Sequence, residues 1–246
     1  MGCPDQLQAF FFDLSGTLID ETADRQAHSA LLEKIIERYD LTGDLAECQR
    51  KYEGHLERIY YEMIFDQEFR TLGALHTEAF QVLLAEGTLR GNIAGNDEEM
   101  LHDVSHLSNE LHVRYARGFS ASIGLLSLCH DLGYHVGIIS DYDDAPLTKI
   151  LAKTELNQFC DSITTSEEVK SYKPAKIIFS TALKKAGCDA QDSIYFGDRW
   201  ERDIVGAKGV GMFTCLIGEE TARTPRPDFV VRDIAQAVTL VRNQLT

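Results

Sequence analysis

The chain has 246 residues, 44% hydrophobic and 26% charged, with 39 acidic against 24 basic side chains and a formal charge of −15. Such an acidic chain, without a basic run, lacks the stripe that displaces counterions from phosphates, so no nucleic-acid partner is expected. No apolar stretch approaches the roughly 20 residues that span a bilayer, so no membrane partner is expected either.

In chain order, Met1-Gly2-Cys3-Pro4-Asp5-Gln6 has neither the basic flank nor the apolar run of a secretory signal. Gly2 invites myristoylation, but Gln6 stands where that motif requires Ser or Thr. Gln8 to Leu14, centred on Phe10-Phe11-Phe12, reads as a buried strand that ends in the turn Ser15-Gly16-Thr17. From Thr22 to Arg117 amphipathic stretches at Ala27–Tyr39, Leu45–Phe65, Leu72–Glu86 and Asp97–Val113 predict an all-helical insert. Beyond Phe119 strands and helices alternate. A helix at Ile123–Leu132, closed by Gly133, precedes a strand at Tyr134–Ser140 and a helix at Pro146–Thr154. A weak strand at Ser162–Thr165 and a helix at Ala175–Ala186 follow. Then come a strand at Ser193–Phe196, a helix at Glu201–Lys208 and a strand at Met212–Ile217. The linker-like passage Gly218–Asp228 leads to Phe229–Val231 and a last helix at Ile234–Gln244.

This alternation predicts an α/β fold, a doubly wound parallel sheet of Rossmann-like type. One core domain forms from residues 1–21 and 118–246, and a helical cap from 22–117. The six cysteines (Cys3, Cys48, Cys129, Cys160, Cys188, Cys215) are scattered without a Cys-x-x-Cys pair. They read as reduced thiols of a cytoplasmic protein, not as a disulfide framework or a zinc site.

Open α/β sheets place their sites beyond the carboxyl ends of the strands. There the sequence supplies Asp13, Ser140 with Asp141, Lys173-Pro174, and Gly197-Asp198 followed by Asp203. These segments resemble, in order, four motifs of the haloacid dehalogenase-like (HAD) hydrolase superfamily. Phe11-Phe12-Asp13-Leu14-Ser15-Gly16-Thr17-Leu18 resembles the first, and Gly137-Ile138-Ile139-Ser140-Asp141 the second. Ser171-Tyr172-Lys173-Pro174 through Phe179 is similar to the third. Ile194-Tyr195-Phe196-Gly197-Asp198, with Asp203 and Gly206, is similar to the fourth. The helical insert is similar to the family's type-1 cap.

The resemblance implies a Mg2+-dependent phosphatase acting on a small phosphorylated metabolite through an aspartyl-phosphate, with Asp13 as nucleophile. Ser140, Lys173 and the turn amides around Ser15 and Gly16 would hold the phosphoryl oxygens, with Asp141 beside them. Lys173 would also favour the ionised form of Asp13. Asp13, the Ser15 carbonyl and Asp198 would ligate Mg2+, with Asp203 behind them. One position departs from the pattern. Family phosphatases usually carry a second Asp two residues after the nucleophile, as the acid for the leaving oxygen, and here that residue is Ser15. General acid assistance is typically worth ~10²–10⁴-fold, so the loss falls hardest on alkyl esters.

Three alternatives stay open. A 2-haloacid dehalogenase would have Ser-Asn in place of Gly197-Asp198. A phosphonatase needs a cap lysine, and the insert offers only Lys34 and Lys51. A weak catalyst that binds a phosphorylated ligand or a protein partner fits Ser15. In the insert, His102 and His106 are spaced i, i+4 with His112 beyond, but without H-E-x-x-H they read as a solvated face. Monomer and dimer are equally compatible with the sequence.

Overall fold

In a computed structural model the described residues are 7–91, 97–219 and 222–245. The readings of Gly2, Cys3 and Gln6 lie outside them. The chain divides into two compact units, one of Met1–Glu21, Arg117–Asp144 and Leu151–Thr246, the other of Thr22–Ala116 with Ala145–Ile150.

In the first unit the apolar run forms β1, Ala9–Phe12, shorter than the expected Gln8–Leu14 because Leu14 already accepts three loop hydrogen bonds. The other strands are β2 (His135–Ser140), β3 (Ser162–Thr165), β4 (Ser193–Gly197), β5 (Phe213–Ile217) and β6 (Phe229–Val231). All pairings are parallel, in the order β3-β2-β1-β4-β5-β6. Both central strands are buried along their whole length, which explains why they read as continuous apolar runs. Phe10 and Phe12 stack on Phe196, at 6.1 and 5.0 Å between ring centroids. Phe11 and Tyr195 join the core cluster that contains Ile178 and Phe179.

Joining helices are α5 (Ser122–Asp131), α6 (Asp144–Lys153), α7 (Ser166–Val169), α8 (Lys176–Ala186), α9 (Val205–Val210) and α10 (Ile234–Gln244). The expected helix Glu201–Lys208 is instead a wide π-type turn at Trp200–Ile204 that leads into α9. Asp203 folds back on Arg199 there, its N–H to the Arg199 carbonyl at 2.8 Å and its carboxylate to the Arg199 N–H at 2.9 Å.

The second unit contains α1 (Thr22–Arg38), α2 (Leu45–Asp66), α3 (Leu72–Ala85) and α4 (Glu98–Tyr115), each packed on two neighbours in a closed ring. Asp44, Thr71 and Asp97 cap three of these helices by accepting from N–H groups in the first turn. No described helix is long and apolar enough to cross a membrane. The five described cysteines are free thiols.

Candidate active site

Strand order reverses between β1 and β4, the switch point where such sheets bind ligands. Phe12 lies opposite Phe196, and the Asp13 N–H donates to the Phe196 carbonyl at 2.9 Å. Asp13 and Gly197-Asp198 therefore leave the sheet side by side. The loop after β1 turns through Gly16 at φ +82°, where a Cβ would fall 2.4 Å from an Asp198 carboxylate oxygen. Only glycine meets both demands. The same turn corrects one expectation. The Gly16 N–H donates to the Ile19 carbonyl at 2.8 Å, so this amide is committed inside the loop and does not face a phosphate. Ser15 is half-buried in that loop, bridged to Ile19.

Lys173 is the organising group. It is 1% exposed, and its Nζ donates to Asp13 Oδ1 at 2.5 Å, to Asp203 Oδ1 at 2.8 Å and to the Tyr195 hydroxyl at 3.1 Å. These acceptors match the three protons of an ammonium. Tyr195 in turn donates to Asp203 at 3.0 Å. Sequence reasoning placed Tyr195 only as a strand residue. A tyrosine within an apolar strand reads as core, and nothing local signals that its hydroxyl meets a lysine.

Asp203 has both oxygens engaged, one by Lys173 and Tyr195, the other by the Arg199 N–H. Gly197 permits this closeness, since a Cβ there would lie 2.5 Å from the Asp203 side chain. Asp13 Oδ2, by contrast, has no hydrogen-bond partner among the described residues.

Asp141, expected near the phosphate, does something else. Its Oδ1 accepts from the Lys173 N–H at 3.0 Å and from Ser166 at 2.9 Å, and its Oδ2 lies 3.6 Å from Arg202. It holds the lysine segment and is corrected from a phosphate contact to a positioning group. Ser140 ends β2, is 1% exposed and accepts from the Tyr142 N–H at 3.2 Å, and among the described residues its hydroxyl proton has no acceptor.

Burial pushes the Asp13 carboxyl up, against the pull of Lys173 and with the help of Asp203. The lysine favours ionisation, as expected, but does not win alone. Burial would depress Lys173, yet Asp13 and Asp203 outweigh it and hold the ammonium well above its usual range. Asp203 is likewise held low, because Lys173 and Arg202 outweigh its burial. Among the described residues Asp198 pairs with no buried cation. Burial, then Asp13 and Asp203, push it up to about 8, although Arg199 lies 3.0 Å away and Thr17 donates to it at 3.3 Å.

Asp13, Asp198 and Asp203 each offer a carboxylate oxygen within 4.8 Å of the others. Three clustered carboxylates with one buried ammonium among them, two of them (Asp13 and Asp198) resisting ionisation, fit a hard divalent cation. An all-oxygen donor set suits Mg2+.

A sequence model described as "Haloacid dehalogenase-like hydrolase" matches residues 10–217. The chain is 26% identical over 223 residues to the glyceraldehyde 3-phosphate phosphatase of Methanothermobacter thermautotrophicus, covering 89% of each protein. It is 29% identical over 209 residues to the protein of that name from Pyrococcus abyssi, covering 85% of this chain and 80% of that one. Among solved structures, the putative HAD-hydrolase YfnB of Bacillus subtilis, bound to magnesium, superposes with a TM-score of 0.78 at 17% identity. That superposition covers 97% of this chain and 100% of YfnB, and at this identity it shows the fold.

Proposed function

Because the chain belongs to the haloacid dehalogenase-like hydrolase family, we propose that it is a Mg2+-dependent phosphatase of small phosphorylated metabolites in the cytoplasm. The observation that carries this reading is Asp13, pinned at one oxygen by buried Lys173, without a hydrogen bond at the other among the described residues, and clustered with the Asp198 carboxylate, which burial and the neighbouring acids push up. The phosphatases among the relatives point to the same chemistry.

Asp13 Oδ2 attacks phosphorus, and the ester oxygen departs with the bonding electrons of the P–O bond. Water then attacks the aspartyl-phosphate at phosphorus and frees both phosphate and Asp13. Lys173 holds Asp13 in place and opposes the charge that accumulates on the phosphoryl oxygens. Ser140 donates its free proton to one of those oxygens. Asp203 and Tyr195 fix the ammonium, and Asp141 fixes its backbone. Asp13, Asp198 and the Ser15 carbonyl would hold Mg2+, with Asp203 behind them, and the bound ion would supply positive charge that Lys173 alone does not provide. Ser15 cannot act as an acid near neutral pH, so the departing oxygen takes its proton from elsewhere, and good leaving groups are favoured.

Phosphate release from a panel of small phosphate esters tests this, in Mg2+ and in excess chelator. Release that requires Mg2+ is expected. Full activity in chelator refutes the metal assignment, and no release from any ester refutes the phosphatase.

A further inference from the structure

We propose that His28, His76 and His112, inside the helical unit, form a binding site for one borderline divalent transition-metal ion of the zinc class, distinct from the Mg2+ position at the strand ends. The proposal goes beyond the phosphatase reading and does not depend on it.

The three rings come from α1, α3 and α4. His76 and His112 are buried, at 5% and 9% exposure. Ring centroids lie 5.3 Å apart for His28–His76, 5.3 Å for His28–His112 and 5.0 Å for His76–His112, nearly an equilateral triangle. Planes cross at 57°, 66° and 52°, so the rings are splayed around a common point and not stacked. One nitrogen from each ring lies within 4.8 Å of the other two. Around a tetrahedral ion with metal–nitrogen bonds of about 2.0–2.1 Å, imidazole centroids stand about 5 Å apart, so the rings already have the spacing that coordination requires.

Outer partners complete the pattern. His112 Nδ1 is 2.6 Å from the Ser108 carbonyl. A carbonyl only accepts, so Nδ1 carries the proton, and Nε2 is the nitrogen that carries the lone pair of the neutral ring. His76 Nδ1 is 2.8 Å from the buried Tyr52 hydroxyl. His28 Nδ1 is buried without a hydrogen-bond partner among the described residues, 3.9 Å from a Glu53 oxygen. Metal-bound histidines characteristically have one nitrogen engaged by such an outer group and the other on the ion. Burial holds His76 and His112 below the usual histidine range, in the neutral form that ligates.

Neutral imidazole nitrogens gathered this closely offer a cation three lone pairs, and an ion among them removes their mutual repulsion. Imidazole selects Zn2+, Co2+, Ni2+ or Cu2+ over Mg2+. Three protein ligands leave a fourth position for water. Such an ion would tie α1, α3 and α4 together.

The test strips the full-length protein with chelator and dialyses it against Zn2+ in excess Mg2+. Bound zinc is then measured by elemental analysis, and Co2+ is substituted for visible spectroscopy. One zinc per chain is expected in the parent and in Asp198→Asn, with the visible bands of four-coordinate, nitrogen-ligated Co2+. Zinc should be lost in His28→Gln and in His76→Gln. Zinc that persists in His28→Gln but disappears in Asp198→Asn overturns the proposal, as does a parent that binds none. If the histidine variants do not fold by circular dichroism, the parental Co2+ spectrum decides: a weak, six-coordinate oxygen spectrum refutes the site.

Discussion

Lys173→Met keeps the length of the side chain and removes its charge. The ammonium sits 2.5 Å from Asp13 and 2.8 Å from Asp203, all three buried, so the variant leaves two carboxylates without their cation. Removing one partner of a buried pair costs about 3–5 kcal/mol, a large part of the roughly 5–15 kcal/mol that stabilises a domain. The folded variant limits this cost by keeping a proton on a carboxyl. A folded pKa raised above about 3.9 means that the folded state binds more protons than the unfolded chain at higher pH, so stability falls as pH rises. Its deficit against the parent should therefore be smallest near pH 4 and grow by about 1.4 kcal/mol per pH unit for each carboxyl that stays protonated. The protonated Asp13 cannot attack, and turnover should fall by at least ~10²-fold. Urea unfolding at a series of pH values in chelator, with phosphate release in Mg2+, measures both. A deficit that does not vary with pH, or turnover above a tenth of the parent's, would show that Lys173 is there for packing and refute the electrostatic account.

Ser15→Asp should restore an acid for the leaving oxygen and raise alkyl-ester turnover by up to ~10²-fold, flattening the dependence of rate on leaving-group pKa. A parent that already shows a shallow dependence would mean that another group donates the proton. In the helical unit, burial depresses His76 and His112 in the folded state only. Below about pH 6.5 the unfolded chain takes up protons that the folded one refuses, so without metal the stability present at pH 7 should be lost as pH falls below 6.5. His76→Gln should weaken that acid-side loss, and an unchanged unfolding profile in the variant would reject the assignment.

Much of the sheet was legible because its central strands are buried on both faces. Ala9–Phe12 and Ser193–Gly197 appear as uninterrupted apolar runs, and the chemistry follows directly at their ends. Asp13, Lys173, Asp198 and Asp203 gather as the motif order implies. What escaped depends on distance in sequence or on hydrogen bonds that spacing does not encode. Tyr195 acts through a hydroxyl that only the placing of β4 beside β1 brings to Lys173. The role of Gly16 turned on one loop bond, to Ile19, and Asp141 was claimed by a backbone N–H from another segment. His102 and His106, which spacing singled out, stack as exposed rings 6.3 Å apart. His112 points instead into a cluster with His28 and His76, from helices that no short motif connects.

The central claim is that Asp13 carries the phosphoryl group during turnover. Rapid acid quench of the Mg2+-loaded protein with an aryl or acyl phosphate, followed by peptide mass spectrometry, tests it most directly. A phosphoryl group on Asp13, absent from Asp13→Asn along with turnover, is the predicted result. A phosphoryl group on another residue, or a folded Asp13→Asn protein that turns over at the parental rate, would contradict it.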